Sequence, residues 1–109
     1  MATKAEELVC YIYGIDKNHE VKSIVVYKTE KSVRLLGPHG SHHVHSSNLG
    51  SLEGWKREAA LVWNITDIVD VPRLAINSDS DKTTYERLKQ KADERKRFAE
   101  EHAAKHSTS

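Results

Sequence analysis

Four of the chain's seven histidines fall within seven residues, in the stretch Gly37-Pro38-His39-Gly40-Ser41-His42-His43-Val44-His45-Ser46-Ser47. Neutral imidazoles bind zinc, nickel or copper, so this stretch is the first place to look for chemistry. In an extended backbone His43 and His45 lie two apart and share a face, and His39 can approach across the loop. A site for zinc or another divalent transition metal on His39, His43 and His45 is therefore one reading. A fixed catalytic zinc takes three protein ligands and a set of supporting hydrogen bonds, and no CxxC or HExxH accompanies the cluster. Glu53, across a flexible loop, is the nearest acid. The reading preferred here has no cofactor: a polar, glycine-bearing loop whose histidines meet solvent or a ligand.

Other catalytic constellations fail on spacing. Ser46 and Ser47 follow His45, but adjacency in sequence is not a nucleophile–base geometry. Gly37, Gly40, Gly50 and Gly54 match neither the phosphate-loop nor the dinucleotide spacing. Cys10 lies in Leu8-Val9-Cys10-Tyr11-Ile12-Tyr13 and reads as a buried, inert thiol. A non-enzymatic protein is expected.

The elements that must position these residues follow from pattern. Leu8 to Ile15 is rich in β-branched and aromatic residues and reads as a strand, followed by the polar turn Asp16-Lys17-Asn18-His19-Glu20, with Asn18 the residue suited to a left-handed backbone. Val21 to Lys28 shows no cleanly polar face, which predicts a strand covered on much of both sides. Thr29-Glu30-Lys31 turns the chain into a third strand, Ser32 to Leu36, and short turns of this kind predict antiparallel pairing. Pro38 ends it, His42 to His45 reads as a short polar strand, and Ser46 to Gly54 reads as a flexible loop. Trp55 to Asn64 fits two periods. Trp55, Ala59, Val62 and Trp63 share a helical face, whereas Ala59, Leu61, Trp63 and Ile65 share a strand face. The β-leaning run Leu61 to Val69 favours a strand from about Ala60, with Leu61 and Val25 as core positions. From Thr83 to about Ala104 there is neither Gly nor Pro, and Asn77 to Asp81 offers N-caps, so a charged helix closes the chain. Its thin stripe of Tyr85, Leu88, Ala92, Ala99 and Ala103 is interrupted by Arg95. Docking is expected through Tyr85 and Leu88 only, so truncation after Gln90 is expected to cost little.

These elements predict an α+β fold: a small antiparallel β-barrel or curled sheet followed by a charged C-terminal helix. The division is a β-rich domain over 1–76, the helix over 77–106 and a disordered tail over 107–109. A length of 109 residues suits one domain, and the net charge of +1 supplies no global field toward nucleic acid or a membrane. One cysteine excludes an intramolecular disulfide and fits a reducing compartment, and Met1 to Glu7 lacks the features of a signal peptide. No apolar run approaches the ~20 residues that span a bilayer. A cytoplasmic location is expected. Asn64-Ile65-Thr66 matches a glycosylation sequon that has no meaning there.

The layout resembles the small SH3-like barrel proteins encoded by bacteriophages. The residues behind the resemblance are the hairpin Val21–Lys28/Ser32–Leu36 with its Thr29-Glu30-Lys31 turn, the polar segment His42 to Gly54, the return through Leu61 to Thr66 and the charged helix. The resemblance implies a host-directed or nucleic-acid-associated binding role in the host cytoplasm, and it transfers no site residues. Two partner classes follow. A protein-binding regulator or inhibitor would use the histidine loop and Trp55, since tryptophan is a frequent interface anchor. A nucleic-acid binder would use Lys22, Lys28, Arg34, Lys56 and Arg57, with tyrosines for stacking. The expected contact set is thus Lys22, Lys28, Arg34, His42, His43, His45, Trp55, Lys56 and Arg57. The expected state is a monomer or a weak homodimer through the terminal helix.

Overall fold

A computed structural model describes residues 6–107, with side chains through residue 102. Five strands form one antiparallel sheet: β1 (Glu7–Ile15), β2 (Val21–Lys28), β3 (Val33–Gly37), β4 (Gly40–His43) and β5 (Thr66–Pro72). Helix α1 (Leu52–Trp63) links β4 to β5, and helix α2 (Asp79–Ser107) follows. The spatial order is β4-β3-β2-β1-β5. Successive strands form a meander, and α1 then carries the chain across the sheet so that β5 pairs with β1 at the far side. The α+β expectation holds, but the sheet is open, with β4 and β5 as separate edges, and does not close into a barrel.

The first hairpins follow from their turn chemistry. The Asp16 carboxylate accepts from the backbone of Asn18 at 2.8 Å and Glu20 at 3.0 Å, closing the β1–β2 turn. The left-handed residue there is His19 (φ 62°) rather than Asn18. Thr29 and Ser32 exchange a hydroxyl hydrogen bond of 2.8 Å across the next turn.

Alternation along the strands divides the core in two. Ile12, Ile24, Val26, Val33 and Leu35 point to one face, where Trp55 and Ala59 of α1 cover them together with Val44 and Ile65. Tyr13, Ile15 and Val71 point to the other, beneath Leu88 and Ala92 of α2. One helix on each face of the sheet accounts for the absence of a polar face on β2.

The segment read as a strand from Ala60 is helical to Trp63. Its ends explain why. Ser51 caps α1 by accepting from the Gly54 backbone at 3.1 Å, and Asn64 takes the left-handed conformation (φ 52°, ψ 53°) that stops it. The β-branched content of residues 61–69 is overridden because Trp55 and Ala59, four apart, can bury one helical stripe against the sheet. Leu61 consequently points outward and is 77% exposed, so it is not a core residue, and Val25 is only half-buried. The loop expected over 46–54 is a 3₁₀ turn (Ser46–Asn48) leading into α1.

Strand β5 begins with a bulge. Tyr13 pairs with Val69 and Ile15 with Thr66, so β5 carries one extra residue, and Asp67 absorbs it with a left-handed backbone (φ 55°). Lys91 meets the Asp67 carboxylate at 2.9 Å, Arg95 pairs with it as well, and Arg95 donates to the Thr66 hydroxyl at 3.2 Å. These contacts explain the Arg95 that interrupts the apolar stripe of α2.

Docking of α2 therefore extends past Leu88 to Ala92 and Arg95, beyond the two turns expected. Ending the chain after Gln90 removes Ala92 and both cationic partners of Asp67 and frays the turn that holds Leu88. We expect a loss of about 2 kcal/mol and a fall in melting temperature of roughly 10 °C, checked by thermal denaturation of the truncated chain. An unchanged melting temperature would show that this stretch is not docked. Ala103 lies beyond the described side chains, and of the expected tail only Ser107 is described, as the last residue of α2.

Candidate interaction face

The histidines separate according to the pleat. His42 pairs with Leu35 and points to the α1 face, whereas His43 pairs with Arg34 and points to the opposite one. His45 lies beyond β4, where its ring accepts from the Ser47 backbone at 3.2 Å and caps the 3₁₀ turn. The His45 ring is thus engaged with Ser47, through both its backbone and its hydroxyl. Among the described residues no three His, Cys, Asp or Glu side chains are grouped to hold a metal ion.

The carboxylate that organises the loop is Glu58 of α1. It accepts from His42 Nε2 at 2.8 Å, from the His45 backbone at 3.1 and 3.0 Å and from Asn48 Nδ2 at 2.6 Å. The histidine segment is therefore pinned to the helix behind it. Burial acts to raise the Glu58 pKa, but the hydrogen bonds from Asn48, His42 and His45 together hold it below the ordinary 4.5. Lys91 chiefly, against a smaller opposing effect of burial, holds Asp67 below its ordinary 3.8. Both carboxyls have lower pKa values folded than unfolded. Their contribution is present above the unfolded values and is lost as pH falls through the folded ones. The melting temperature should drop steeply below about pH 4, and Glu58→Gln should flatten the upper part of that decline in melts taken from pH 7 to pH 3. An identical acid limb in wild type and variant would remove Glu58 from this account.

The other expected contact residues scatter. Trp55 is core, its indole N–H donating to the Leu49 carbonyl at 3.2 Å. Lys22 and Lys28 lie at opposite ends of β2, about 20 Å apart at a strand's rise, and Lys22 pairs with Asp16 at 3.7 Å. Lys56 reaches Asp70 at 2.7 Å on the β5 side of the sheet, and Arg57 is exposed on α1. Of the nine, Arg34 and His43 are the neighbours that the pleat brings together on the face opposite α1.

That face is the more informative surface. Helix α2 packs over β5, β1 and the Val21 end of β2, with Tyr11 at the margin of that cluster, and along the rest of the face Tyr11, Val25, Tyr27 and Arg34 are half-buried while Leu36 and His43 are exposed. Cross-strand pairing sets them in rows: Tyr11 opposite Val25 opposite Leu36, and Tyr27 opposite Arg34 opposite His43. The Arg34 guanidinium is fixed on both sides. It donates from Nε and an Nη to the two Glu6 carboxylate oxygens at 2.9 and 2.8 Å, and its Cζ lies 4.9 Å from the centre of the Tyr27 ring. Tyr13 packs edge-on to Tyr85 at 5.6 Å and lies 6.2 Å from Tyr11, extending the aromatic surface to the α2 border.

The sequence offered tyrosines only for stacking beside basic strands, placed Val25 in the core and gave Leu36 no role beyond ending a strand. Their shared face could have been read from the period-two alternation. That one side of the sheet is half uncovered could not. Cys10 is buried, and desolvation together with the nearby Asp70 pushes its thiol up to about 11, consistent with an inert residue. Among the described residues no helix is long and apolar enough to cross a membrane. Compared with protein-family models, with curated proteins and with solved structures, the chain finds no match in any of the three.

Proposed function

We propose that the protein is a non-enzymatic protein-binding module, acting as an inhibitor or regulator, whose contact surface is the open half of the sheet, Tyr11, Val25, Tyr27, Arg34 and Leu36, with Tyr85 of α2 at its border. One observation carries the reading. A β-sheet face offers tyrosines and aliphatic side chains to solvent around an arginine held rigid by Glu6 and Tyr27. Tyrosine and arginine are enriched at the energetic centres of protein interfaces, and a guanidinium fixed beforehand loses little freedom on binding. A nucleic-acid interface would need cations converging on one surface, but Lys22 and Lys28 stand about 20 Å apart at opposite ends of β2, Lys22 and Lys56 are engaged by Asp16 and Asp70, and Arg34 faces the other side of the sheet. The SH3-like comparison rests on the meander β1–β4 alone, because the sheet stays open.

The test places a photo-crosslinking amino acid at Leu36, and separately at Glu53 on α1, in an extract of the source cell. The expected result is one protein adduct from position 36 and none from 53, and a loss of at least tenfold in affinity for that protein in Tyr27→Ala. Equal labelling from both positions would overturn the assignment. So would binding of a labelled oligonucleotide that weakens steeply with salt and is lost in Arg34→Ala.

A further inference from the structure

The edge strand β5 lies in a groove of about 620 Å³, lined by Lys56 of α1, by Asp67, Ile68, Val69 and Asp70 of β5, and by Thr84, Arg87, Leu88 and Lys91 of α2. Since the two helices lie on opposite faces of the sheet, a groove that touches both must run along its edge. Among the described residues β5 pairs only with β1, so alternate backbone N–H and C=O groups of β5 face into this groove. The bulge at Asp67 and Pro72, which lacks an N–H, delimit the open segment to Ile68, Val69, Asp70 and Val71. The volume falls within the range of about 300–1,000 Å³ typical of ligand sites.

We propose that this edge binds an extended, acidic peptide segment of a partner protein, which adds as a sixth strand beside β5. A strand added about 4.8 Å from β5 enters the layer between the helices, its side chains turned alternately toward α1 and α2. The α2 wall is the cationic one, with Arg87 and Lys91, whereas Lys56 on the α1 wall is engaged by Asp70 at 2.7 Å and by Glu53 at 3.8 Å. The groove's own acids are already matched: Asp70 by Lys56, and Asp67 by Lys91 and Arg95 together. Arg87 is exposed and makes no ion pair among the described residues, which leaves a surplus positive charge for the incoming strand. Main-chain pairing supplies the affinity, and the cations select glutamate or aspartate over lysine at alternate positions. This site is on a different part of the sheet from the tyrosine face and does not depend on it.

The probe is a fluorescent eight-residue peptide of alternating glutamate and valine, titrated against the full chain with fluorescence anisotropy and amide hydrogen exchange. The peptide should bind at micromolar to sub-millimolar concentration and slow exchange at residues 68–71. Affinity should fall at least tenfold in Arg87→Glu, stay within twofold in Arg97→Glu on the outer part of the same helix, and vanish when alternate peptide nitrogens are methylated. The proposal is overturned by no binding at 1 mM, by equal binding of a lysine–valine peptide, or by indifference to N-methylation. It is also overturned if protection of residues 68–71 appears without peptide and sedimentation shows a dimer, because the occupant is then a second copy of this chain.

Discussion

Ile24→Ala should cost about 3–5 kcal/mol, whereas Leu61→Ala should change stability by no more than about 0.5 kcal/mol. Ile24 lies on the middle strand of the sheet, fully buried against Ile12, its cross-strand partner, and beneath the α1 stripe. Neighbours held from both sides cannot collapse into the space a truncation leaves, which puts the cost in the upper part of the range for buried aliphatic residues. For a domain whose whole stability is about 5–15 kcal/mol, this brings the variant close to unfolding at moderate temperature. Leu61 has the same chemistry and a stronger local β pattern around it, yet it projects from the outer side of α1. Urea titrations of the two variants decide between helix and strand for this segment. A Leu61→Ala midpoint shifted as far as that of Ile24→Ala would mean that residues 60–65 form an inward-facing strand.

Asp81→Ala should destabilise by about 2–4 kcal/mol, the larger part of it recovered when Tyr13 is also replaced by phenylalanine. Asp81 is a buried carboxylate at the start of α2. It accepts the Tyr13 hydroxyl at 2.6 Å and the Asn77 backbone N–H at 2.8 Å, while its own N–H donates to Ser78 Oγ at 3.2 Å. Ser78 thus caps the first turn through the Asp81 N–H, the Asp81 carboxylate reaches back to Asn77, one residue before Ser78, and the same carboxylate ties the helix to β1, 68 residues earlier. Removing it leaves a buried hydroxyl and a helix-entry N–H without an acceptor, and each carries a desolvation penalty. In Tyr13→Phe the hydroxyl is absent, so losing Asp81 costs only the cap. The difference between the single and double variants measures the coupling of helix to sheet. Additive effects in that cycle would show that the helix and the strand are held by packing alone.

The outcomes sort by the range of the forces involved. Strands β1 to β3 and the helix α2 were legible, because alternation, turn residues such as Asp16 and Thr29, and an unbroken run of helix formers act within a few residues. The acids at the start of α2 pointed to its cap for the same reason. Residues 52–69 were misread because their local preference was mixed, and the choice fell to Trp55 and Ala59, which gain burial only once a sheet lies beneath them. Asn64 was the local sign of the helix stop, and it was passed over in favour of the β-branched residues around it. Glu58 escaped notice because a carboxylate 13 residues from His45 has no sequence relation to it until α1 folds back over β4.

By itself, then, the sequence determined the α+β class, the antiparallel meander and the closing helix, since hydrophobic period and turn chemistry are local quantities. Only the tertiary structure decided that the sheet stays open, that β5 crosses over to β1, and that α2 leaves Tyr11, Val25, Tyr27 and Leu36 half uncovered. Which side of a strand is buried depends on which helix lies over it, and that is settled by contacts between residues far apart in the chain.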